Sequence, residues 1–177
     1  AAAISTGKNI LDIEAVDFPL PQFGAKLAEM REEMLHGRGF KLLRGLPIQD
    51  RPIEEVAFMY WGIGAHLGYV VSQNAKGHVL GHVKDLGLDY ADPQARGYQT
   101  SARLPYHTDY SDLVGLLCLK KARSGGLSSI VSSTALYNHI MAERPDLGEA
   151  LMQPFYRTRW GEVGSDRPAW IEVPAFN

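Results

Sequence analysis

The sequence predicts a mixed, β-rich domain in which helices flank a set of short strands. Three observations support this class. Apolar residues at helical spacing occur in the first third and again near residues 133–152, short β-like segments lie between them, and turn residues are frequent. The 18 glycines and 10 prolines among 177 residues are slightly more than average, as expected for many turns but not for disorder.

Two helices are expected in the first third of the chain. Apolar residues recur at helical spacing between residues 23 and 34, and two glycines end that pattern. Asp50 is suited to cap a second helix, with Pro52 near its first turn. Glu54 and Glu55 suit the positive start of that helix.

The remainder of the chain predicts strands around a third helix. That helix is expected from Ser133 to about Arg144, because Pro145 disfavours helical geometry at the residue before it. The apolar run 113–119 is almost unbroken and has polar residues on both sides, so we expect a buried strand with Cys118 as an inert core residue. The full set of expected strands is 39–44, 78–83, 113–119, 128–132, 155–160 and 170–173.

Composition excludes several classes of protein. The 18 Lys and Arg residues against 20 Asp and Glu residues leave no basic excess for nucleic-acid binding. The longest apolar runs are far too short to span a bilayer, so no membrane role is expected. A single cysteine rules out an intramolecular disulfide and predicts a reducing, cytoplasmic location. No repeat or linker divides the sequence, so we expect one domain over residues 1–177.

The most informative motif is His107-Thr108-Asp109, which follows Leu104-Pro105-Tyr106. Pro105 favours an extended chain, and strand residues two apart point to the same face at about 6.6 Å between Cα atoms. An imidazole and a carboxylate at that separation can reach one metal ion, as two of the three ligands of a non-haem Fe(II) site. The alternative is an exposed turn in which Asp109 only caps its neighbours.

A loop with two adjacent glycines follows the apolar run. Gly125 and Gly126 permit a tight turn and a close approach of a ligand to the backbone. Ser128 offers a hydroxyl that could donate to a carboxylate. The alternative is a hairpin-type loop whose serines bond only their own backbone, and for the loop by itself this alternative is favoured.

Together these segments resemble the taurine dioxygenase-like (TauD/TfdA) family of Fe(II)/2-oxoglutarate oxygenases. The resemblance spans roughly residues 38–176 and is most specific at 104–147. It implies a double-stranded β-helix, a jelly-roll variant, with helices packed outside. It also implies a dioxygenase that uses Fe(II), 2-oxoglutarate as co-substrate and O₂ to oxidise, most commonly by hydroxylation, a small organic substrate, with release of succinate and CO₂.

The resemblance assigns roles to individual residues. His107 and Asp109 match the first two iron ligands, and Ser128 falls where relatives place a Thr or Ser near the 2-oxoglutarate carboxylate. The third ligand, a histidine on a late strand, and the arginine that binds the co-substrate have no match in this chain. His139 lies in a predicted helix at the wrong point of the pattern, so we interpret it as a surface or partly buried residue.

Three hypotheses explain the missing ligands. The natural protein continues past Asn177, the chain is a deliberately shortened form, or the protein has lost its metal site and kept the scaffold. We expect the domain to lack its C-terminal part. The functional alternatives are a catalytically silent binding or scaffold protein and a metal hydrolase that uses the same two residues with another ion.

Substrate contacts and assembly are less determined by the sequence. Arg103, four residues before His107, could meet an anionic group of the substrate, and Asn74 lies in a polar cluster that could reach the same pocket. For both residues a solvated loop is at least as good an interpretation. The substrate and the oligomeric state, a homo-oligomer included, stay open.

Overall fold

The computed structural model describes residues 5, 7–73, 77–92, 95–109, 111–159 and 167–176. The chain divides into two units, Ala1–Leu119 and Lys120–Asn177. Within the described ranges there are four α-helices and two β-strands, with short 3₁₀ turns at Ile10–Asp12, Ala15–Asp17 and Gly97–Gln99. The helices are α1 (Gly24–His36), α2 (Ile53–Ala65), α3 (Ser133–Glu143) and α4 (Pro145–Leu151), and the strands are β1 (Phe155–Thr158) and β2 (Trp170–Val173).

The two helices of the first unit confirm the expected positions. Helix α1 buries Leu27 and Met30, both from the apolar repeat. It ends at Gly37, whose N–H donates to the Glu33 carbonyl at 3.0 Å. Helix α2 carries the expected Glu54 and Glu55 in its first turn, where acidic side chains are stabilised by the helix dipole.

The expected cap of α2 is wrong. Pro52, not Asp50, precedes the first helical residue, and no side chain accepts a hydrogen bond there. Asp50 instead adopts a φ of +57°, a left-handed geometry that aspartate tolerates better than most residues. It therefore shapes the turn before the helix rather than the helix end.

The core of the first unit joins α2 to the N-terminal 3₁₀ turns. Trp61 and Ile13 are buried against each other, and the indole N–H donates to the Ile13 carbonyl at 2.9 Å. Phe18 lies directly against Gly62, where a Cβ would overlap its ring. The His66 Nε2 donates to the Phe18 carbonyl at 2.8 Å. Trp61 of α2 and His66, the residue directly after the helix, therefore hold the N-terminal segment in place.

The second unit contains the remaining helices and the only strand pair among the described residues. Helix α3 begins at Ser133, and the residue that caps it is Ser132, whose hydroxyl accepts from the Ala135 N–H at 3.2 Å. It ends at Arg144 as predicted, and Pro145 starts α4. Strands β1 and β2 pair antiparallel, with the register Phe155↔Val173 to Thr158↔Trp170. The predictions for these two strands are confirmed up to Thr158, and Trp160 lies outside the described residues.

The other expected strands are not formed. Residues 39–44, 78–83, 113–119 and 128–132 have irregular backbone. The run 113–119 is not buried: Leu116 is 79% exposed, and Cys118 is exposed rather than part of the core. A strand needs a hydrogen-bonded neighbour, and nothing in the described ranges pairs with these segments as a ladder. The β-rich part of the expected class is therefore absent from what the structure describes.

The accessible surface area of the chain is larger than expected for compact units, in agreement with the exposure of these segments. The chain exposes 14217 Å². Two separate compact bodies sharing its mass would expose about 10,000 Å². Large apolar side chains such as Val114 and Leu127, which are 57% and 96% exposed, contribute to this excess. Within the described ranges, these side chains lack the strand partners that would bury them.

Candidate metal site

The candidate metal ligands lie in an exposed, irregular segment of the first unit. His107 and Asp109 are both exposed, and neither belongs to a strand. The same-face geometry that an extended strand would impose on them is therefore not set by sheet pairing. Their placement depends on contacts made by neighbouring residues.

The imidazole of His107 has a defined tautomer. Its Nδ1 lies 2.8 Å from the Pro105 carbonyl oxygen. A carbonyl can only accept, so Nδ1 is the donor in this contact, and in the neutral form of the ring the lone pair lies on Nε2. Histidines that bind metals commonly hold their other ring nitrogen in this way. The contact with Pro105 therefore leaves Nε2 as the ring atom with a lone pair for a metal.

The 3₁₀ turn at Gly97–Gln99 supports the segment that leads to His107. The Thr100 hydroxyl donates to the Gly97 carbonyl at 2.9 Å, and the Ala102 N–H donates to that hydroxyl at 3.2 Å. The Tyr98 carbonyl accepts from the Lys84 N–H at 3.0 Å. Leu104 packs onto Gly97, at a position that a Cβ would occupy. A short hydrogen-bonded frame therefore precedes the motif.

After the motif, the chain contacts helix α2. The hydroxyl of Tyr60 lies against Gly115, so that a Cβ on Gly115 would stand 2.6 Å from the oxygen. Burial raises the pKa of the Tyr60 hydroxyl. The chain that follows Asp109 therefore contacts Tyr60, a half-buried side chain of α2. Sequence reasoning missed Gly97, Tyr60 and Gly115, because no local pattern marks such contacts between distant residues.

The donor set fits two positions of an Fe(II) site. A neutral imidazole and a carboxylate are the ligands that a non-haem iron site uses, with a further histidine. No group of three or more His, Cys, Asp or Glu side chains that could hold a metal ion is present among the described residues. The absence of a third ligand from this chain stays a prediction.

The remaining candidates are placed as follows. Ser128 is exposed in irregular backbone after Gly125 and Gly126, which adopt positive φ values of 70° and 69°. Arg103 is exposed, and Asn74 lies outside the described residues. These two substrate contacts and the Ser128 role stay predictions.

His139 is an exposed residue of helix α3. Its Nε2 lies 3.7 Å from Glu143, one helical turn further on. This confirms the interpretation of His139 as a helix-surface residue.

A cavity of about 470 Å³ lies along the β1–β2 hairpin of the second unit. The described residues that line it are Tyr156, Arg157, Thr158, Ala169 and Trp170. None of these described lining residues is a histidine or a carboxylate, the ligand types expected for the site at His107 and Asp109.

Comparison with known proteins decides the family. Residues 5–174 match the family described as taurine catabolism dioxygenase TauD, TfdA family. The chain belongs to this family. The FR-33289 synthase of Streptomyces rubellomurinus (strain ATCC 31215) is 32% identical over 166 residues, which are 93% of this chain and 49% of that protein. The taurine hydroxylase-like protein SAT17 of Stachybotrys chartarum (strain CBS 109288 / IBT 7711) is 32% identical over 162 residues, 87% of this chain and 41% of that protein.

The resemblance inferred from the motif is thus confirmed at the level of the TauD, TfdA family. The chain spans about half the length of the relatives it matches. Across the described ranges, no helix is long and apolar enough to cross a membrane.

Proposed function

We propose that the chain acts as part of a non-haem Fe(II)- and 2-oxoglutarate-dependent dioxygenase that hydroxylates a small organic substrate and releases succinate and CO₂. Membership of the TauD, TfdA family supports an oxygenase of this type, and the relatives are named a synthase and a hydroxylase-like protein. The comparisons do not favour a silent scaffold. The proposal includes the double-stranded β-helix as the fold of the whole domain.

The observation that carries the proposal is the His107–Pro105 hydrogen bond within the family's motif. The proton on Nδ1 leaves Nε2 as the only ring atom able to bind a metal. His107 and Asp109 would hold the iron, which supplies O₂ activation once the co-substrate is bound. This chain's own contribution is to present the imidazole in one tautomer and to place a carboxylate two residues away. Ser128 would donate to a carboxylate of 2-oxoglutarate, and Arg103 and Asn74 would contact the substrate.

The test is an anaerobic titration of the longest natural form of the protein with Fe(II) and 2-oxoglutarate, monitored by the visible charge-transfer absorption of the chelate, because the third ligand and the co-substrate arginine have no match in residues 1–177. We expect a saturable band in the wild-type protein and its loss in His107→Ala and Asp109→Ala. His139→Ala is the matched control, because His139 is an exposed histidine of a helix surface. That variant should keep the band.

Two results would contradict the proposal. The first is a band that survives in His107→Ala. The second is 2-oxoglutarate turnover in the presence of O₂ that continues at the wild-type rate in that variant. Conversion of a substrate without any need for 2-oxoglutarate would instead indicate a hydrolase that uses another metal ion.

A further inference from the structure

An exposed pair of aromatic rings lies on the β1–β2 hairpin of the second unit. The rings of Tyr156 and Trp170 have centroids 4.8 Å apart and an angle of 89° between their planes. The register explains the contact, because Tyr156 lies opposite Glu172 and Thr158 lies opposite Trp170. Opposite residues of an antiparallel pair project to the same face, and aromatic side chains can reach their diagonal neighbours there. The two rings therefore form the walls of a corner on one face of the hairpin.

This corner is accessible to a ligand. Tyr156 is 67% exposed and Trp170 is 50% exposed. Both rings line the cavity of about 470 Å³ along the hairpin. That volume is within the range of pockets that hold small molecules. A small ligand can therefore contact both rings at once.

A carboxylate lies beside the corner. Glu172 is on the same face as the two rings, directly opposite Tyr156. A hydrogen bond to this carboxylate raises the pKa of the Tyr156 hydroxyl. Arg157 also lines the cavity, but successive strand residues alternate in direction, so it belongs to the opposite face, and it already has an interaction partner. The charged side chain that accompanies the rings on their own face of the described strands is therefore an acid.

These groups together favour a positively charged ligand. The face of an aromatic ring carries negative electrostatic potential and attracts a cation that lies within about 6 Å of the ring centroid. Because the two centroids are 4.8 Å apart and the planes nearly perpendicular, one cation in the corner can satisfy this distance for both rings. The nearby carboxylate adds a Coulombic attraction. A neutral ligand of the same shape would gain only the apolar contact.

We propose that Tyr156, Trp170 and Glu172 form a binding site for a small organic cation that carries an alkylated ammonium group. Such a group offers the two rings a broad apolar surface together with a positive charge. All three residues belong to the second unit, and the site needs no metal. Its existence can therefore be tested independently of the iron chemistry proposed above.

The experiment is a titration of the 177-residue chain with choline and, separately, with 3,3-dimethyl-1-butanol, which has the shape of choline without its charge. One readout is the ¹H–¹⁵N signal of the Trp170 indole, with the buried Trp61 as the internal reference. The other is the dissociation constant from saturation-transfer NMR of the ligand methyl groups. The variants are Trp170→Leu and Glu172→Gln. Phe155→Leu is the matched control, because Phe155 is an aromatic residue of β1 on the opposite face of the hairpin.

We expect choline to shift the Trp170 indole signal and to leave the Trp61 signal in place. The neutral alcohol should bind about fivefold more weakly or not at all, since it lacks the attraction of a cation to the rings and the carboxylate. Trp170→Leu should weaken choline binding by about fivefold or more, and Glu172→Gln by about two- to fivefold. Phe155→Leu should bind choline as the wild-type chain does.

The proposal is overturned if the neutral alcohol binds as tightly as choline, because the corner would then be an apolar surface without preference for charge. It is also overturned if choline leaves the Trp170 signal unmoved, or if Phe155→Leu weakens binding as much as Trp170→Leu does. If Trp170→Leu does not fold, the comparison of the two ligands on the wild-type chain decides.

Discussion

Replacing Trp61 by Phe tests whether the N-terminal segment is held to helix α2 as the structure indicates. Trp61 is 6% exposed, and its indole N–H donates to the Ile13 carbonyl at 2.9 Å. Phenylalanine retains a flat aromatic ring but has no donor. Ile13 is 4% exposed, so water cannot easily replace the lost partner. The substitution therefore leaves a buried acceptor without a hydrogen bond.

The expected loss of stability has two parts. An unsatisfied buried acceptor costs about 1–3 kcal/mol. The smaller ring of phenylalanine removes apolar contact worth roughly 1 kcal/mol. The free energy of unfolding should therefore fall by about 2–4 kcal/mol, a large fraction of the total stability of an ordinary domain.

The assay is urea unfolding followed by far-ultraviolet circular dichroism, since the substitution itself would change tryptophan fluorescence. Tyr69→Phe is the control, because Tyr69 is fully exposed and its substitution should leave the free energy of unfolding nearly unchanged. If Trp61→Phe lowers stability no more than Tyr69→Phe does, the hydrogen bond to Ile13 does not anchor the segment, and the reasoning is refuted.

Two further predictions concern the helices. Leu27 is completely buried on α1, so Leu27→Ala should lower the free energy of unfolding by about 2–5 kcal/mol in the same assay. Leu35→Ala on the same helix, at a position 38% exposed, should cost clearly less, and equal effects would contradict the assigned burial. The hydrogen bond from Arg144 holds the pKa of Asp146 below its usual value, so the pair stabilises the chain above the ordinary aspartate range and that contribution is lost as the pH falls through the lowered pKa. An NMR titration of Asp146 should show this lowered pKa and its return toward the usual value in Arg144→Gln, and an unchanged titration in that variant would disprove the cause.

Helix positions were predictable because their causes are local. The repeat that buries Leu27 and Met30 can be seen in the sequence, and so can the proline that separates α3 from α4. Errors at helix starts were small. Asp50 has the composition of a cap, but the backbone turns at that residue and places Pro52 at the helix start. A difference of two residues in the turn decides which residue precedes the free N–H groups at the helix start.

Whether a predicted strand formed depended on whether a partner strand lies close by in the sequence. Strands β1 and β2, both predicted, are near in sequence and pair with each other. The run 113–119 has the composition of a buried strand but no ladder partner among the described residues, and it is largely exposed. Relatives of the family are about twice as long as this chain. Apolar composition indicates that a segment can be buried, but the segment becomes a β-strand only when a neighbouring strand pairs with it.

By itself, the sequence determined the family and the chemical types of the two candidate ligands, because the motif around His107 and Asp109 is a matter of residue identity and spacing. Only the tertiary structure decided how those ligands are presented. The tautomer of His107 depends on the direction of the Pro105 carbonyl, and the path of the chain on either side depends on Leu104 over Gly97 and Tyr60 over Gly115. Such contacts join residues that are distant in sequence. They arise from close packing, in which the absence of a Cβ on a glycine leaves the space that a neighbouring side chain fills.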